Sequence, residues 1–278
     1  MRIQGDFHVH SNFCPHGTTD KMEDYVLAAI EKGLQYISFT EHAPLPKAFN
    51  DPSPAGDSCM NPDLAEDYFR EGERLKAKYA NQIKVTVGFE VDYLIGYEQE
   101  TTALLNQWGG YLEDAILSVH MLQTPTDEYV CLDYSPEEFN NIIKAFGSTD
   151  SVYENYYQTL LSAVKADLGP FKPRRIGHIT LIEKFHQRFP VQRSFKQEIQ
   201  TVLRNMAKYK LEIDVNASGY FKQYCQKSYP GTDIIKEANK LGIPLVPGSD
   251  SHERNHLTRG FYRLPALEYA LPGGLQTK

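Results

Sequence analysis

A short stretch near the start of the chain, GDFHVH at residues 5–10, indicates both the fold and the chemistry of this protein. We predict a first β-strand over residues 3–8, with one histidine at its end and a second two positions further on. Because side chains on a strand alternate between its two faces, His8 and His10 would point to the same side, as two ligands of one metal ion do. A lone His-x-His pair is more often incidental, so its meaning depends on the rest of the chain.

Short β-branched or aromatic runs alternate with longer helical stretches along most of the chain, a pattern typical of parallel β/α units. Seven strands are predicted, at residues 3–8, 36–40, 83–87, 115–119, 175–178, 211–215 and 244–246. No internal repeat, low-complexity tract or linker divides the sequence. We therefore predict a single domain over residues 1–278, an α/β barrel with fewer or more irregular strands than the usual eight.

Capping signals predict where several helices begin. Asp20 with Glu23 is expected to form a capping box at the start of the first helix. Asn61, followed by a proline, is expected to open a second helix. A Ser-Pro-Glu-Glu run beginning at Ser135 resembles another capping box, and the segment 134–168 is predicted to be purely helical.

Composition and charge exclude several classes of protein. No apolar run approaches the roughly 18 residues of a membrane span, and a net charge of −7 argues against a nucleic-acid partner. The N-terminus lacks the apolar core of a secretory signal. The four cysteines form no C-x-x-C pair and are predicted to be free thiols, so we expect a cytoplasmic protein. The oligomeric state stays open, with a homo-oligomer as one alternative.

Histidines are concentrated at or just beyond the ends of the predicted strands. The set consists of His8, His10, His16, His42, His120, His178 and His252, and the carboxylates Glu90 and Asp250 occupy equivalent positions. Because the C-terminal ends of parallel strands converge on one face of a barrel, these side chains are expected to meet in one pocket. Nitrogen and oxygen ligands without cysteine suit Zn²⁺, Mn²⁺ or Fe²⁺, and this set is too large for one ion. His186 and His256 fall outside the pattern.

Six motifs occur in an order that resembles the polymerase and histidinol phosphatase (PHP) superfamily. They are DFHVH at residues 6–10, TEH at 40–42, GFEVD at 88–92, SVH at 118–120, IGH at 176–178 and SDSH at 249–252. The resemblance spans about residues 5–255. Within the superfamily, FCPHG at 13–17 and EHAP at 41–44 are similar to the monofunctional histidinol-phosphate phosphatases. Many superfamily members have aspartate where Glu41 stands, which leaves the role of Glu41 open.

This resemblance implies a distorted (β/α)7 TIM-like barrel that holds three divalent metal ions. The implied ligands are His8, His10, Glu90 and Asp250 for the first ion, Glu90, His120 and His178 for the second, and His16, His42 and His252 for the third. The implied activity is the hydrolysis of L-histidinol phosphate to L-histidinol and phosphate in histidine biosynthesis.

Charge supports the same class of substrate independently. Three divalent ions, two carboxylates and a bridging hydroxide sum to about +3, which favours a small-molecule phosphate monoester. In the expected hydrolysis, the metals lower the pKa of the water that attacks phosphorus. The predicted catalytic residues are Glu90, Asp250, His252 and Asp6, and Asp6, Glu41 and His256 are the candidates for protonating the leaving group.

Loop residues near the mouth of the barrel are the candidates for binding substrate. We predict this role for Arg193, Arg254, Lys184 and Asn216, with Ser218 as a further pocket residue. Both arginines rank above the lysine because a guanidinium pairs with phosphate in a bidentate manner.

Two alternatives remain on the sequence alone. A nuclease or another phosphoesterase of the same superfamily would use the same ligands, although the acidic composition counts against nucleic acid. A non-catalytic, metal-stabilised module is the second alternative, although every ligand position is filled.

Overall fold

The fold is built from parallel strands and intervening helices over residues 3–275, which a computed structural model describes. In chain order the elements are β1 (Gly5–Val9), α1 (Met22–Glu31), β2 (Tyr36–His42), α2 (Ala65–Tyr79), β3 (Lys84–Asp92), α3 (Glu98–Trp108), β4 (Asp114–Ser118), β5 (Met121–Gln123), β6 (Tyr129–Cys131), α4 (Pro136–Phe146), α5 (Thr149–Lys165), β7 (Arg175–Ile176), α6 (Lys196–Lys208), β8 (Glu212–Asn216), α7 (Thr232–Lys240) and β9 (Leu245–Gly248). Short 3₁₀ turns lie between several of them.

Seven of the strands form one parallel sheet in the order β1-β2-β3-β4-β7-β8-β9, while β5 and β6 pair as a separate antiparallel hairpin. The two edges of the sheet meet just beyond β1 and β9. There the His10 N–H donates to the Ser251 carbonyl at 2.8 Å, and the Asp250 N–H donates to the His8 carbonyl at 2.8 Å. The sheet is thus a nearly closed barrel, and the prediction of a distorted (β/α)7 TIM-like α/β fold is confirmed.

All seven predicted strands are present, with boundaries displaced by a few residues. The largest difference is in β3, which continues to Asp92, so that Glu90 lies within the strand rather than beyond it. In contrast, β7 has only two residues, and His178 lies in the loop that follows it. The hairpin of β5 and β6 is not among the predicted elements, because three-residue strands are too short to show a period-two pattern.

The segment 134–168, predicted to be purely helical, forms two helices separated by a break. Gly147 adopts the left-handed conformation with φ of +85°, which ends α4. The side chain of Ser148 then caps α5 by accepting the Ser151 N–H at 3.0 Å. At the other end of α4 the predicted cap is confirmed, since the Ser135 hydroxyl accepts a backbone N–H from the first turn at 3.1 Å.

The capping box predicted for the first helix is displaced by one residue. Lys21, not Asp20, is the residue that precedes the helix, and its backbone N–H donates to the Asp24 carboxylate at 2.9 Å rather than to Glu23. Asp20 instead accepts the hydroxyl of Thr18 at 3.1 Å. Asn61 does cap the start of the next helical segment, which begins as one turn of 3₁₀ helix before α2.

Helices pack on the outside of the barrel through a large apolar layer rich in aromatic side chains. Tyr68 on α2 is fully buried and donates its hydroxyl to the Gly88 carbonyl on β3 at 2.8 Å. A side chain at Gly88 would lie 1.4 Å from the Asp114 carbonyl oxygen of β4, so glycine permits the close approach of these strands. This packing holds the strand ends, and the side chains they carry, in fixed positions.

The cysteines and the length of the helices bear on two predictions made from composition. All four cysteines are free thiols, as predicted. Within residues 3–275, the helices are all too short or too polar to span a lipid bilayer.

Candidate metal centre

The nine side chains predicted as metal ligands lie together at the C-terminal end of the barrel. They come from β1 and the loop after it (His8, His10, His16), from β2 and β3 (His42, Glu90), from the loops after β4 and β7 (His120, His178), and from the segment after β9 (Asp250, His252). Because the strand ends converge, residues more than two hundred positions apart in the sequence, such as His16 and His252, lie next to each other.

The first group of ligand atoms surrounds one carboxylate oxygen of Glu90. His8 Nε2 lies 3.1 Å and His10 Nε2 lies 3.5 Å from Glu90 Oε2. Asp250 Oδ1 lies 3.4 Å from His10 Nε2 and 3.8 Å from His8 Nε2. Ligand atoms around one tetrahedral ion, each about 2.0–2.1 Å from it, are separated by about 3.3 Å. The spacing of this group therefore suits a single divalent ion.

The other carboxylate oxygen of Glu90 faces a second group. His178 Nε2 lies 2.9 Å and His120 Nε2 lies 3.6 Å from Glu90 Oε1, and the two Nε2 atoms are 3.1 Å apart. Ser118 donates its hydroxyl to the same oxygen at 2.6 Å, which fixes the carboxylate between the two groups. Glu90 could thus provide one oxygen to each of two metal ions.

A third group lies towards solvent. His16 Nε2 and His252 Nε2 are 3.1 Å apart. His42 lies between this pair and the first group: its ring centroid is 5.0 Å from that of His16, and its Nδ1 is 3.3 Å from Glu90 Oε2. The buried thiol of Cys14 is within 4.8 Å of ligand atoms of His10, His42 and His252.

Buried nitrogen atoms without partners support the assignment of a metal centre. Within residues 3–275, both ring nitrogens of His10 and Nδ1 of His42 are buried and have no hydrogen-bond partner. Leaving such polar atoms unsatisfied costs about 1–3 kcal/mol each. A divalent cation that accepts one lone pair from His10 and one from His42 would remove the cost at those two nitrogens, so the residues present fit metal ions.

Further oxygen atoms lie behind the histidines and orient their rings. Asp214 Oδ2 is 2.9 Å from His8 Nδ1, and Asp92 Oδ1 is 2.8 Å from His120 Nδ1. Because these carboxylates assign the proton to Nδ1, Nε2 presents its lone pair to the centre. Sequence reasoning missed both aspartates, although a signal was present: Asp92 follows Glu90 by two residues on the same face of β3.

Ionisation of the bridging carboxylate follows from its neighbours. Burial disfavours a charged Glu90, but His8, His120 and His42 hold its pKa well below the usual range. Burial likewise opposes the charge of Asp250, and His8 and His10 lower its pKa. Both carboxylates are therefore anionic at neutral pH.

Asp250 is held in an unusual backbone conformation. Its φ of +54° lies in the left-handed region, which non-glycine residues adopt at some cost. Its Oδ2 accepts hydrogen bonds from Asn216 Nδ2 at 3.1 Å and from the Ser218 hydroxyl at 3.2 Å. Asn216, predicted to bind substrate, thus helps to fix the orientation of the Asp250 carboxylate.

A cavity of about 420 Å³ opens above the three groups, a size suited to a small-molecule ligand. Its wall includes Lys184, Lys222, Asp133, Tyr134 and His256. Lys184 was predicted here, and its Nζ is engaged by the Asp133 carboxylate at 2.8 Å. Sequence reasoning missed Lys222, for which the described residues 3–275 contain no ion pair with a carboxylate.

The two arginines predicted to bind substrate lie outside this cavity. Arg193 forms ion pairs with Glu154 and Glu198, both at 2.7 Å, and lines a separate groove beside α6. Arg254 is half exposed, and its Nε lies 3.6 Å from Asp20. Acidic partners on the outer surface hold both guanidinium groups, so their positions do not support the predicted ranking of the arginines above Lys184.

The candidates for protonating a leaving group are separated by their positions. Asp6 is fully buried behind the centre, where it accepts the Ser249 N–H at 2.9 Å and the Thr258 N–H at 2.8 Å. Burial raises its pKa to about 6. Glu41 is also fully buried and accepts from Ser11. Neither Asp6 nor Glu41 lines the cavity, so the catalytic role of Asp6 stays a prediction that its position does not support.

His256 does line the cavity, but it is a poor proton donor there. Burial and the charge of Arg259 lower the pKa of His256, so a smaller fraction of its rings carries the extra proton that it would have to donate. An Arg259 N–H donates to His256 Nε2 at 2.8 Å, which occupies that lone pair. The remaining histidine, His186, lies elsewhere, with Nε2 at 3.0 Å from the Cys225 carbonyl oxygen.

Comparison with known proteins agrees with this geometry. The PHP domain family model matches residues 6–218. The histidinol-phosphatase of Bacillus subtilis is 43% identical over 250 residues, which cover 89% of this chain and 93% of that protein. The crystal structure of hisK from Listeria monocytogenes superimposes with a TM-score of 0.88 at 37% identity, covering 93% of this chain and 99% of that one. The histidinol phosphate phosphatase of Lactococcus lactis, crystallised with zinc, L-histidinol and phosphate, has a TM-score of 0.63 at 21% identity and covers 90% of this chain and 87% of that one.

Proposed function

This chain belongs to the PHP domain family, and from that membership we infer that it is a histidinol-phosphatase, which hydrolyses L-histidinol phosphate to L-histidinol and phosphate in histidine biosynthesis. The observation that carries this proposal is the convergence of the nine predicted ligand side chains at one end of the barrel, beside one cavity. Five of the histidines have a ring nitrogen within 3.6 Å of a Glu90 carboxylate oxygen, namely His8, His10, His42, His120 and His178. The high similarity to the Bacillus subtilis enzyme along most of both chains supports the specific substrate.

The centre binds divalent metal ions, and we propose that three are present, with Zn²⁺, Mn²⁺ and Fe²⁺ as the candidates. The first would be held by His8, His10, Glu90 and Asp250, the second by Glu90, His120 and His178, and the third by His16, His42 and His252. When bound, such ions polarise phosphoryl oxygens and lower the pKa of water.

The protein's own contribution is to position these groups. Glu90 holds two ligand groups at a fixed separation because both of its oxygens are engaged and Ser118 locks its orientation. Asp250 is fixed by Asn216 and Ser218 at the cavity floor. Fixed ligands keep the reacting groups aligned without reorganisation when substrate binds.

Lys222 is our candidate for attracting the phosphate. Its side chain lines the cavity and carries a positive charge that the described carboxylates do not neutralise through an ion pair. Lys184, paired with Asp133, contributes a dipole rather than a net charge. No suitably placed side-chain acid is found among the predicted candidates, so we assign the protonation of the leaving alkoxide to water in the cavity.

The same proposal extends to the partners, the cellular location and the oligomeric state of the enzyme. Its partner is a small-molecule phosphate monoester, and nucleic acid and membrane are not partners. We place it in the cytoplasm, where its four cysteines would stay reduced. A homo-oligomer is compatible with this assignment.

Steady-state kinetics on a substrate panel test the function directly. With metal content measured on the same sample, we expect kcat/KM for L-histidinol phosphate to exceed that for p-nitrophenyl phosphate by about a hundredfold or more, since cavity contacts add binding in the transition state. Single-stranded DNA should not be cleaved. Equal turnover of both monoesters would reduce the assignment to a general phosphatase, and DNA cleavage would indicate the nuclease alternative. An active enzyme without metal would refute the centre itself.

A further inference from the structure

A buried guanidinium lies on the far side of the barrel interior from the cavity. Arg175 on β7 is 1% exposed, and its Nη2 donates to the Asp114 carboxylate and to the Phe7 carbonyl, both at 2.7 Å. Its Nη1 and Nε have no hydrogen-bond partner within residues 3–275. Burying a charged group that satisfies only part of its hydrogen-bonding capacity is expensive. Such a residue therefore needs an explanation beyond packing.

The group that faces the unpartnered Nη1 is the carboxylate behind a metal ligand. Nη1 lies 4.0 Å from Oδ1 of Asp214, which is itself fully buried and has no hydrogen-bond partner at that oxygen. The other oxygen of Asp214 holds His8 Nδ1 at 2.9 Å. Asp214 thus lies between Arg175 on one side and His8 on the other.

Backbone packing favours this arrangement. A Cβ atom at Gly248 on β9 would lie 2.4 Å from His8 Cβ and 2.8 Å from Asp214 Oδ1. Only a residue without a side chain lets these two groups meet at the edge where the barrel closes. The contact between Asp214 and His8 therefore depends on Gly248 of β9 as well as on Arg175 of β7.

We propose that Arg175 is a positioning residue for metal binding, which acts through Asp214 on His8. Its guanidinium balances and anchors the buried carboxylate from the interior of the barrel. The anchored carboxylate holds the His8 ring so that Nε2 faces Glu90 and Asp250. The inference rests on the proposed function only through the assignment of His8 as a metal ligand.

A double-mutant cycle on zinc binding tests this proposal. Metal-free protein is titrated with Zn²⁺ in competition with a chromophoric chelator, which measures the number and affinity of the bound ions without reference to activity. Arg175→Met and Asp214→Asn should each weaken zinc binding by about ten- to a hundredfold. Because Arg175 acts through Asp214, the double variant should bind zinc as Asp214→Asn does, within about threefold.

Controls separate positioning from general destabilisation. Asp114→Asn removes the other carboxylate partner of Arg175 but leaves Asp214 and the Arg175 charge in place, so it should lower the free energy of unfolding and weaken zinc binding less than Arg175→Met does. Arg174→Met, at an exposed neighbouring position, should change neither quantity. Should Arg175→Met fail to fold, Arg175→Lys, which keeps the charge, completes the same cycle with a smaller loss.

Two results would overturn the proposal: zinc binding by the Arg175 variants that equals that of the wild type, or losses that add fully in the double variant. Turnover of L-histidinol phosphate by the wild type is measured on the same preparation. A wild type that hydrolyses the substrate while the Arg175 variants bind zinc normally contradicts this inference alone. A wild type that neither hydrolyses it nor binds zinc contradicts both the function and the inference.

Discussion

The metal centre has two parts that differ in burial and support. We call His8, His10, Glu90 and His178 the inner part, and His16 and His252 the outer part. The inner side chains are at most 2% exposed and lie in or next to the barrel strands. His252 is 28% exposed, and His16 lies in an exposed loop, where its Nδ1 is held by the Asp57 carbonyl at 2.8 Å. From this difference in burial we expect the inner part to contribute most to metal affinity, and the outer part, which we propose to hold the third ion, to lie nearer the substrate.

The largest effect is expected at the residue that joins the groups of the inner part. Glu90→Gln removes one anionic ligand oxygen and leaves an amide among buried histidines. We expect kcat/KM to fall by on the order of a thousandfold, or about 4 kcal/mol, because one ligand serves two metal groups. Activity assays with metal analysis on the same protein check this.

Glu73→Gln, on the exposed face of α2, is the matched control, and its activity should equal that of the wild type. Circular dichroism should show a native fold for both variants. Near-normal activity of Glu90→Gln with full metal content would contradict the comparison, since burial of the inner part would then not determine metal binding or activity.

A smaller effect is expected on the cavity wall. Lys222→Met should raise KM for L-histidinol phosphate by about tenfold and change kcat less, since one charge-assisted contact contributes about 1.5–3 kcal/mol. Lys222→Arg should recover part of the loss. Lys227→Met is the control, because this lysine pairs with Glu183 outside the cavity at 2.8 Å.

Metal content should be unchanged in all three lysine variants, which distinguishes this part of the site from the inner part. A fall in kcat with unchanged KM would instead place Lys222 in the chemical step.

The inner part was predictable from sequence, and the cavity wall was not. The positions of His8, Glu90 and His178 follow from two rules, the alternation of side chains along a strand and the convergence of parallel strand ends. No comparable rule places Lys222, because the path of a loop depends on tertiary contacts. Arg193 is the reverse case, since its chemistry suits phosphate while its acidic neighbours hold it on the outer surface.

The short hairpin shows the same limit for the fold. Strands β5 and β6 lead the chain to Asp133 and Tyr134 at the cavity, yet three residues per strand are too few to form a recognisable period. The aspartates behind the histidines are an intermediate case. Charged residues within otherwise apolar strands, such as Asp92 and Asp214, are a readable signal for buried partners.

The smallest effect is expected far from both parts of the centre, at a carboxylate that is well paired but near the surface. Glu23 on α1 accepts hydrogen bonds from Lys78, Tyr79 and Arg74 of the α2 region, which together lower its pKa from 4.5 to about 2. A lowered pKa in the folded state means that the contribution to stability is present above pH 4.5 and is lost as pH falls towards 2. Because the pair is screened by solvent, Glu23→Gln should cost about 1 kcal/mol or less at pH 7.

Thermal or urea unfolding of Glu23→Gln and wild type between pH 7 and pH 3 checks this, with Glu31→Gln on the same helix as control. The difference between Glu23→Gln and wild type should shrink as pH falls, while kcat/KM at pH 7 stays that of the wild type. A loss of activity comparable to that of Glu90→Gln would mean that helix contacts outside the barrel control the centre, and burial would no longer explain why the inner part is decisive.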